Sequence, residues 1–155
     1  MVVTKYETDF YGWTQEQSAK LRALLVERSN LDLDLENIAE EIDSMGRSDR
    51  REVHSRLARI IEHLLKLENS TLAEPRRQWQ NSIRAERDSL RRHFKESPSL
   101  FAARGEELAD AYDHAVRRLK PNLIELCMDA PPASCPYDLD DQILDAEWFP
   151  HPRDG

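Results

Sequence analysis

The apolar residues Leu31, Leu35, Ile38, Ile42 and Met45 step by four, three, four and three, and Val53, Leu57, Ile60, Leu64 and Leu67 repeat that rhythm after Gly46. Such spacing keeps every member on one side of an α-helix, so both segments are predicted to be helical and to bury one stripe each. Charged residues make up 34% of the chain and glycine only 4 of 155 positions, which suits long surface helices better than a sandwich or barrel rich in turns. The expected fold class is all-α.

Gly46 is read as the C′ residue that ends one helix, and Ser48 as the N-cap of the next, with Asp49 and Glu52 placing negative charge at its positive end. In an antiparallel hairpin about Gly46, Ile42 faces Val53, Ile38 faces Leu57, Leu35 faces Ile60 and Leu31 faces Leu64, all with position numbers summing to 95. Each aliphatic buried there contributes about 1.5–3 kcal/mol before entropy costs. The segment 31–45 holds six carboxylates and the segment 46–66 six Lys/Arg, so Glu41 is expected to pair with Arg56 and Asp34 with His63. Glu36, Glu40 and Asp43 point away from that seam. A basic stripe of Arg76, Gln80, Arg84, Arg87 and Arg91 is the expected counter-charge.

Elsewhere Thr14 and Gln17 fit a capping box for a first helix running to Arg28, with a turn at Ser29 and Asn30. Pro75 starts a fourth helix, with Trp79, Ile83, Leu90 and Phe94 on its buried side, and Ser97 with Pro98 start the next. From Leu100 to Met128 the apolar residues Leu108, Tyr112, Ala115, Leu119, Leu123 and Leu126 stay near helical period, with Pro121 bending or splitting the segment. After residue 128 the composition turns to proline and acid, with one short helix over Asp140 to Leu144 and an aromatic "EWFP" near the end. The expectation is a single domain over residues 1–155: a bundle of about five helices over 9–128, with the central hairpin, and an irregular acidic tail over 129–155 that packs on the body. The aromatics of "DFYGW" and "EWFP" are its anchors.

The net charge of −8 argues against bulk affinity for nucleic acid or anionic membranes. No apolar run approaches the roughly 20 residues that span a bilayer, and the amino terminus lacks a signal peptide's apolar core, which places the protein in the cytoplasm with Cys127 and Cys135 as free thiols. Glu-x-x-His, HExxH and Cys/His knuckles are absent, as are the nucleophile elbow and phosphate-binding glycine loops. No catalytic residue and no cofactor is assigned. Asp110 and His114 share a helix face as an ordinary surface contact, and a composite metal site of Glu36, Glu40, His54 and a group from the helix after Leu100 stays open. Arg76, Arg84, Arg87, Arg91 and Lys95 give the fourth helix a basic face, but Trp79 falls on its apolar side, which favours core packing over base stacking.

Taken in order, "DFYGWTQEQSAKLR", "LDLENIAEEIDSMGRSDRREVHSRLARIIEHLLK", "WQNSIRAERDSLRRHFKESPSL" and "CPYDLDDQILDAEWFP" resemble one bacterial family, the domain of unknown function family 29. The resemblance implies a compact all-helical bacterial protein and carries no substrate, cofactor or catalytic residue. It directs attention to Asp34, Glu36, Glu40, Glu41, Gly46, His63, Lys66, Trp79 and Arg84. The expected function is a non-enzymatic protein–protein interaction module, by self-association as a homodimer or by docking a partner in the manner of an antitoxin. Its candidate surface is Glu36, Glu40, His54, His63, Arg84 and Arg87. The alternatives are a metal-dependent helical-bundle enzyme using Glu36, Glu40, His54 or His63, and RNA binding through the basic helix.

Overall fold

Leu35–Asn69 forms one uninterrupted α-helix of 35 residues, so the hairpin about Gly46 is replaced by a single continuous element in which Ser48 is an interior residue rather than a cap. The two apolar stripes are in phase. Leu35, Ala39, Gly46, Val53, Leu57, Ile60, Leu64 and Leu67 are all buried and continue one line across the glycine. A spacing repeated on both sides of Gly46 yields facing pairs in a hairpin and one stripe in a rod, and the constant sum of 95 does not separate the two. Glycine within a helix costs only about 1 kcal/mol, less than the about 1.5–3 kcal/mol gained by burying one Val53 or Leu57 side chain. Gly46 accordingly keeps a negative φ. The expected Glu41–Arg56 and Asp34–His63 pairs fall with the hairpin, since Glu41 and Arg56 are separated by about 22 Å of helix axis.

The structure, a computed structural model, describes residues 4–27 and 30–153; the expected helix end at Arg28 and turn at Ser29 lie outside the described residues. The α-helices are α1 (Lys5–Thr8), α2 (Phe10–Glu27), α3 (Leu35–Asn69), α4 (Arg76–Glu96), α5 (Pro98–Ala102) and α6 (Leu108–Leu119). Tighter turns follow at Arg104–Glu107 and Lys120–Asn122, and a π-helical turn at Leu139–Ile143. There is no strand among the described residues, and the protein is all-helical. The chain divides into two compact units, one made of residues up to Glu52 with Arg92–Ala103, the other of Val53–Arg91 with the chain from Arg104 onward.

In the first unit the capping box sits at Thr4 and Glu7, ahead of α1, rather than at Thr14 and Gln17. Thr14 lies inside α2, where its hydroxyl donates to the Tyr11 carbonyl at 2.6 Å. The Asp9 carboxylate accepts from the Ser99 backbone N–H at 3.2 Å and its hydroxyl at 2.8 Å, and Tyr11 N–H donates to Ser97 Oγ at 3.1 Å, which ties the start of α2 to α5. Ser97 and Pro98 open α5 as expected. Tyr6, Phe10 and Trp13 form one aromatic cluster with centroids 4.9–5.9 Å apart.

In the second unit Leu57, Ile60, Ile61, Leu64 and Leu65 of α3 are fully buried with Ile83 and Leu90 of α4 and Ala115 and Leu119 of α6. Trp79 is buried too, as its place on the apolar side of α4 predicts. Pro121 coincides with the end of α6. The tail is fastened by hydrogen bonds: Tyr137 OH donates to Glu68 Oε2 at 2.6 Å, Arg153 N–H to the Glu68 carbonyl at 2.9 Å, and Arg104 holds Asp140 through two bonds of 2.8 and 2.9 Å. Trp148 packs edge-on against Tyr137 at 5.8 Å.

Candidate functional site

Asp34 begins α3 as its cap, accepting from the Asn37 backbone N–H at 3.2 Å and the Asn37 side-chain amide at 2.6 Å. One turn further the acidic face meets its counter-charges. Glu40 accepts from Arg47 at 2.5 Å and from Arg22 at 3.4 Å, and Asp43 accepts from Arg22 at 2.5 Å and from Ser18 Oγ at 2.6 Å. The Ser18 hydrogen bond, joined by Arg22, holds the Asp43 carboxyl below its ordinary range. Neutralisation therefore comes from α2 and from α3 itself. No period in the sequence ties Arg22 to Glu40.

What the sequence placed inside the seam lies partly outside it: Ile38 is 40% exposed and Met45 45%, and Leu31 is exposed as well, as is Leu33, which the seam did not include. Ile38 and Met45 are seven residues apart, hence on one face of α3 about 10.5 Å from each other. Glu41 is exposed on the same side of α3, and a cavity of about 360 Å³ opens at Met45, lined also by Phe10, Glu41, Ser44, Ser48 and Asp49. The first unit thus presents exposed apolar side chains with carboxylates beside Met45. Glu36 and Glu40 belong to this unit; the other expected site residues belong to the second.

There His54 meets the group from α6 that the composite site required: its Nε2 is 3.3 Å from His114 Nδ1, the rings stack at 5.5 Å, and its Nδ1 is 3.5 Å from Glu107 Oε2. Burial, then the neighbouring His54, pushes the His114 imidazole below its ordinary range. Glu40 lies fourteen residues from His54 along α3, about 21 Å of helix axis, so the two do not share one ligand shell. Arg84 and Arg87 stand over the Phe149 ring at 4.9 and 5.2 Å, and Arg87 donates to the carbonyls of Ile143 and Gln142 at 2.8 Å each. Arg76 donates to the carbonyls of Leu67 and Ser70. Within the basic stripe of α4, Arg76 and Arg87 thus bind backbone carbonyls, Arg84 and Arg87 face the tail, and Arg91 pairs with Asp88 of the same helix.

His63 is half-buried, with Nδ1 2.7 Å from the Arg59 carbonyl. Burial pushes its imidazole below the ordinary value, aided by Lys66 and Arg59 and opposed by the Arg59 carbonyl and Glu62. The unfolded chain takes up this proton near pH 6.5 and the folded chain only at lower pH, so between the two values the unfolded state binds more protons. Stability is expected to fall as pH drops from about 7 to 5. His63→Gln should flatten that slope in urea midpoints, leaving the part due to His114; a slope equal to the wild type would contradict the assignment.

The chain matches the pattern of the family described as "Domain of unknown function DUF29" over residues 5–149. Among solved structures it is similar to an alpha-helical protein of unknown function from Rhodospirillum rubrum, with 30% identity, a TM-score of 0.76, and coverage of 94% of this chain and 92% of that one. No curated protein matches it. No helix among the described residues is long and apolar enough to cross a membrane.

Proposed function

The chain belongs to the family Domain of unknown function DUF29, and from that premise we propose that it is a non-enzymatic interaction protein of the cytoplasm whose α3 face docks a basic, apolar segment of a partner protein. The observation that carries this reading is the exposure of Ile38 and Met45 on one face of α3, with the carboxylates of Glu41 and Asp49 at the cavity beside Met45. A second copy would add its own −8 to a chain already at −8, whereas a basic partner turns the carboxylates into steering charges.

The probe is a synthetic amphipathic helix with leucines on one face and lysines beside them, titrated by fluorescence anisotropy. Binding should weaken with salt and fall at least tenfold in Ile38→Lys/Met45→Lys, while a double variant with the same charge change at exposed Gln78 and Ala109 retains it. Equal loss in both variants overturns the docking face. Sedimentation should show a monomer; a dimer abolished by Ile38→Lys would make a second copy the occupant and end the basic-partner reading.

A further inference from the structure

Asp49 and Glu52, one turn apart on α3, and His93 from α4 bring one ligand atom each to within 4.8 Å of one another, all inside the first unit. His93 Nδ1 stands 3.8 Å from Glu52 Oε2, too far for a hydrogen bond and close to the roughly 3.0–3.4 Å that separates neighbouring ligands around a cation with bonds near 2.1 Å. The His93 side chain is only 13% exposed, and its Nε2 is buried without a hydrogen-bond partner among the described residues. Nδ1 is therefore the ring nitrogen turned toward Glu52, at a spacing that one shared cation would span.

Asp49 also lines the open cavity of about 360 Å³ beside Met45, which gives an ion a route and room for water ligands.

We propose that Asp49, Glu52 and His93 bind one divalent first-row transition-metal cation, with water completing its shell. One imidazole with two carboxylates suits Zn²⁺ or Mn²⁺ better than the all-oxygen shells of Ca²⁺ and Mg²⁺. In the sequence Asp49 and Glu52 read as acids at a helix start, and His93, forty-one residues from Glu52, gives no spacing signal.

The test is titration of the full chain with ZnCl₂ by calorimetry, paired with thermal melts. One site per chain is expected, with affinity at least tenfold weaker in Glu52→Gln and in His93→Ala. Asp49→Asn keeps the size and shape of the side chain and should fold as well as the wild type without metal, yet lose the zinc-dependent rise in Tm. If His93→Ala fails to fold, Asp49→Asn decides. Binding that survives Asp49→Asn but vanishes in His54→Ala/His114→Ala places the ion at the other histidine pair and overturns the assignment, as does a wild type with no stoichiometric site.

Discussion

Arg87→Met is expected to lower stability by about 3 kcal/mol, a drop in Tm of roughly 6–12 °C. Arg87 is 5% exposed and is the donor for two tail carbonyls, Ile143 at 2.8 Å and Gln142 at 2.8 Å. Methionine keeps much of the volume against Phe149 but leaves both acceptors without a partner, each at about 1–3 kcal/mol where water cannot reach. Burial pushes the guanidinium down to about 10, so it is still charged at neutral pH, and relief from burying that charge offsets part of the loss. Arg84→Met provides the contrast. Arg84 is exposed and contributes its approach to Phe149, worth about 0.5–1 kcal/mol. Hydrogen exchange should localise the damage: the Ile143 and Leu144 amides, bonded to the Asp138 and Leu139 carbonyls, lose protection in Arg87→Met and keep it in Arg84→Met. Equal protection in both variants would mean that Arg87 does not hold the tail.

The tail and its neighbours show what a sequence can carry. Local chemistry acts within a few residues, so Pro75, the Ser97–Pro98 pair and Pro121 mark real boundaries, and the aromatics of "EWFP" find packing partners because large apolar rings must. Non-local choices are different. Whether Arg87 meets carboxylates or carbonyls is not a property of the spacing of α4, since a guanidinium satisfies either. The same limit hides the candidate sites. Ile38 and Met45 lie on the same broad side of the helix as Leu35, Ile42 and Gly46, and only the position of α2 decides which line is covered. Arg22, which reaches Glu40, and His93, which completes the cluster with Asp49, are more than a dozen residues away in sequence, beyond any periodicity.

Gly46→Leu is expected to destabilise the protein by about 3 kcal/mol although it replaces a poor helix former with a good one. The reason is the approach of α2. A Cβ at position 46 would stand 2.5 Å from Thr14 Oγ1, 2.9 Å from Gln15 Nε2 and 3.4 Å from Thr14 Cβ. Gln15 is long enough to move aside, but Thr14 is fully buried and its hydroxyl is committed to the Tyr11 carbonyl. Gly46→Ala sets two known quantities against each other: a gain of about 1 kcal/mol in helix propensity and an overpacking cost of about 1–3 kcal/mol. The cost should win, and Thr14→Ala should remove it, because the remaining contact at 3.4 Å is ordinary van der Waals distance. A double-mutant cycle with Thr14→Ala and Gly46→Ala therefore has a favourable coupling of at least about 1 kcal/mol. A glycine needed only as a helix terminator would give additive losses instead, since Thr14→Ala cannot repair a backbone that must turn. Coupling thus reports whether α3 passes straight through Gly46, and additivity would restore the break there.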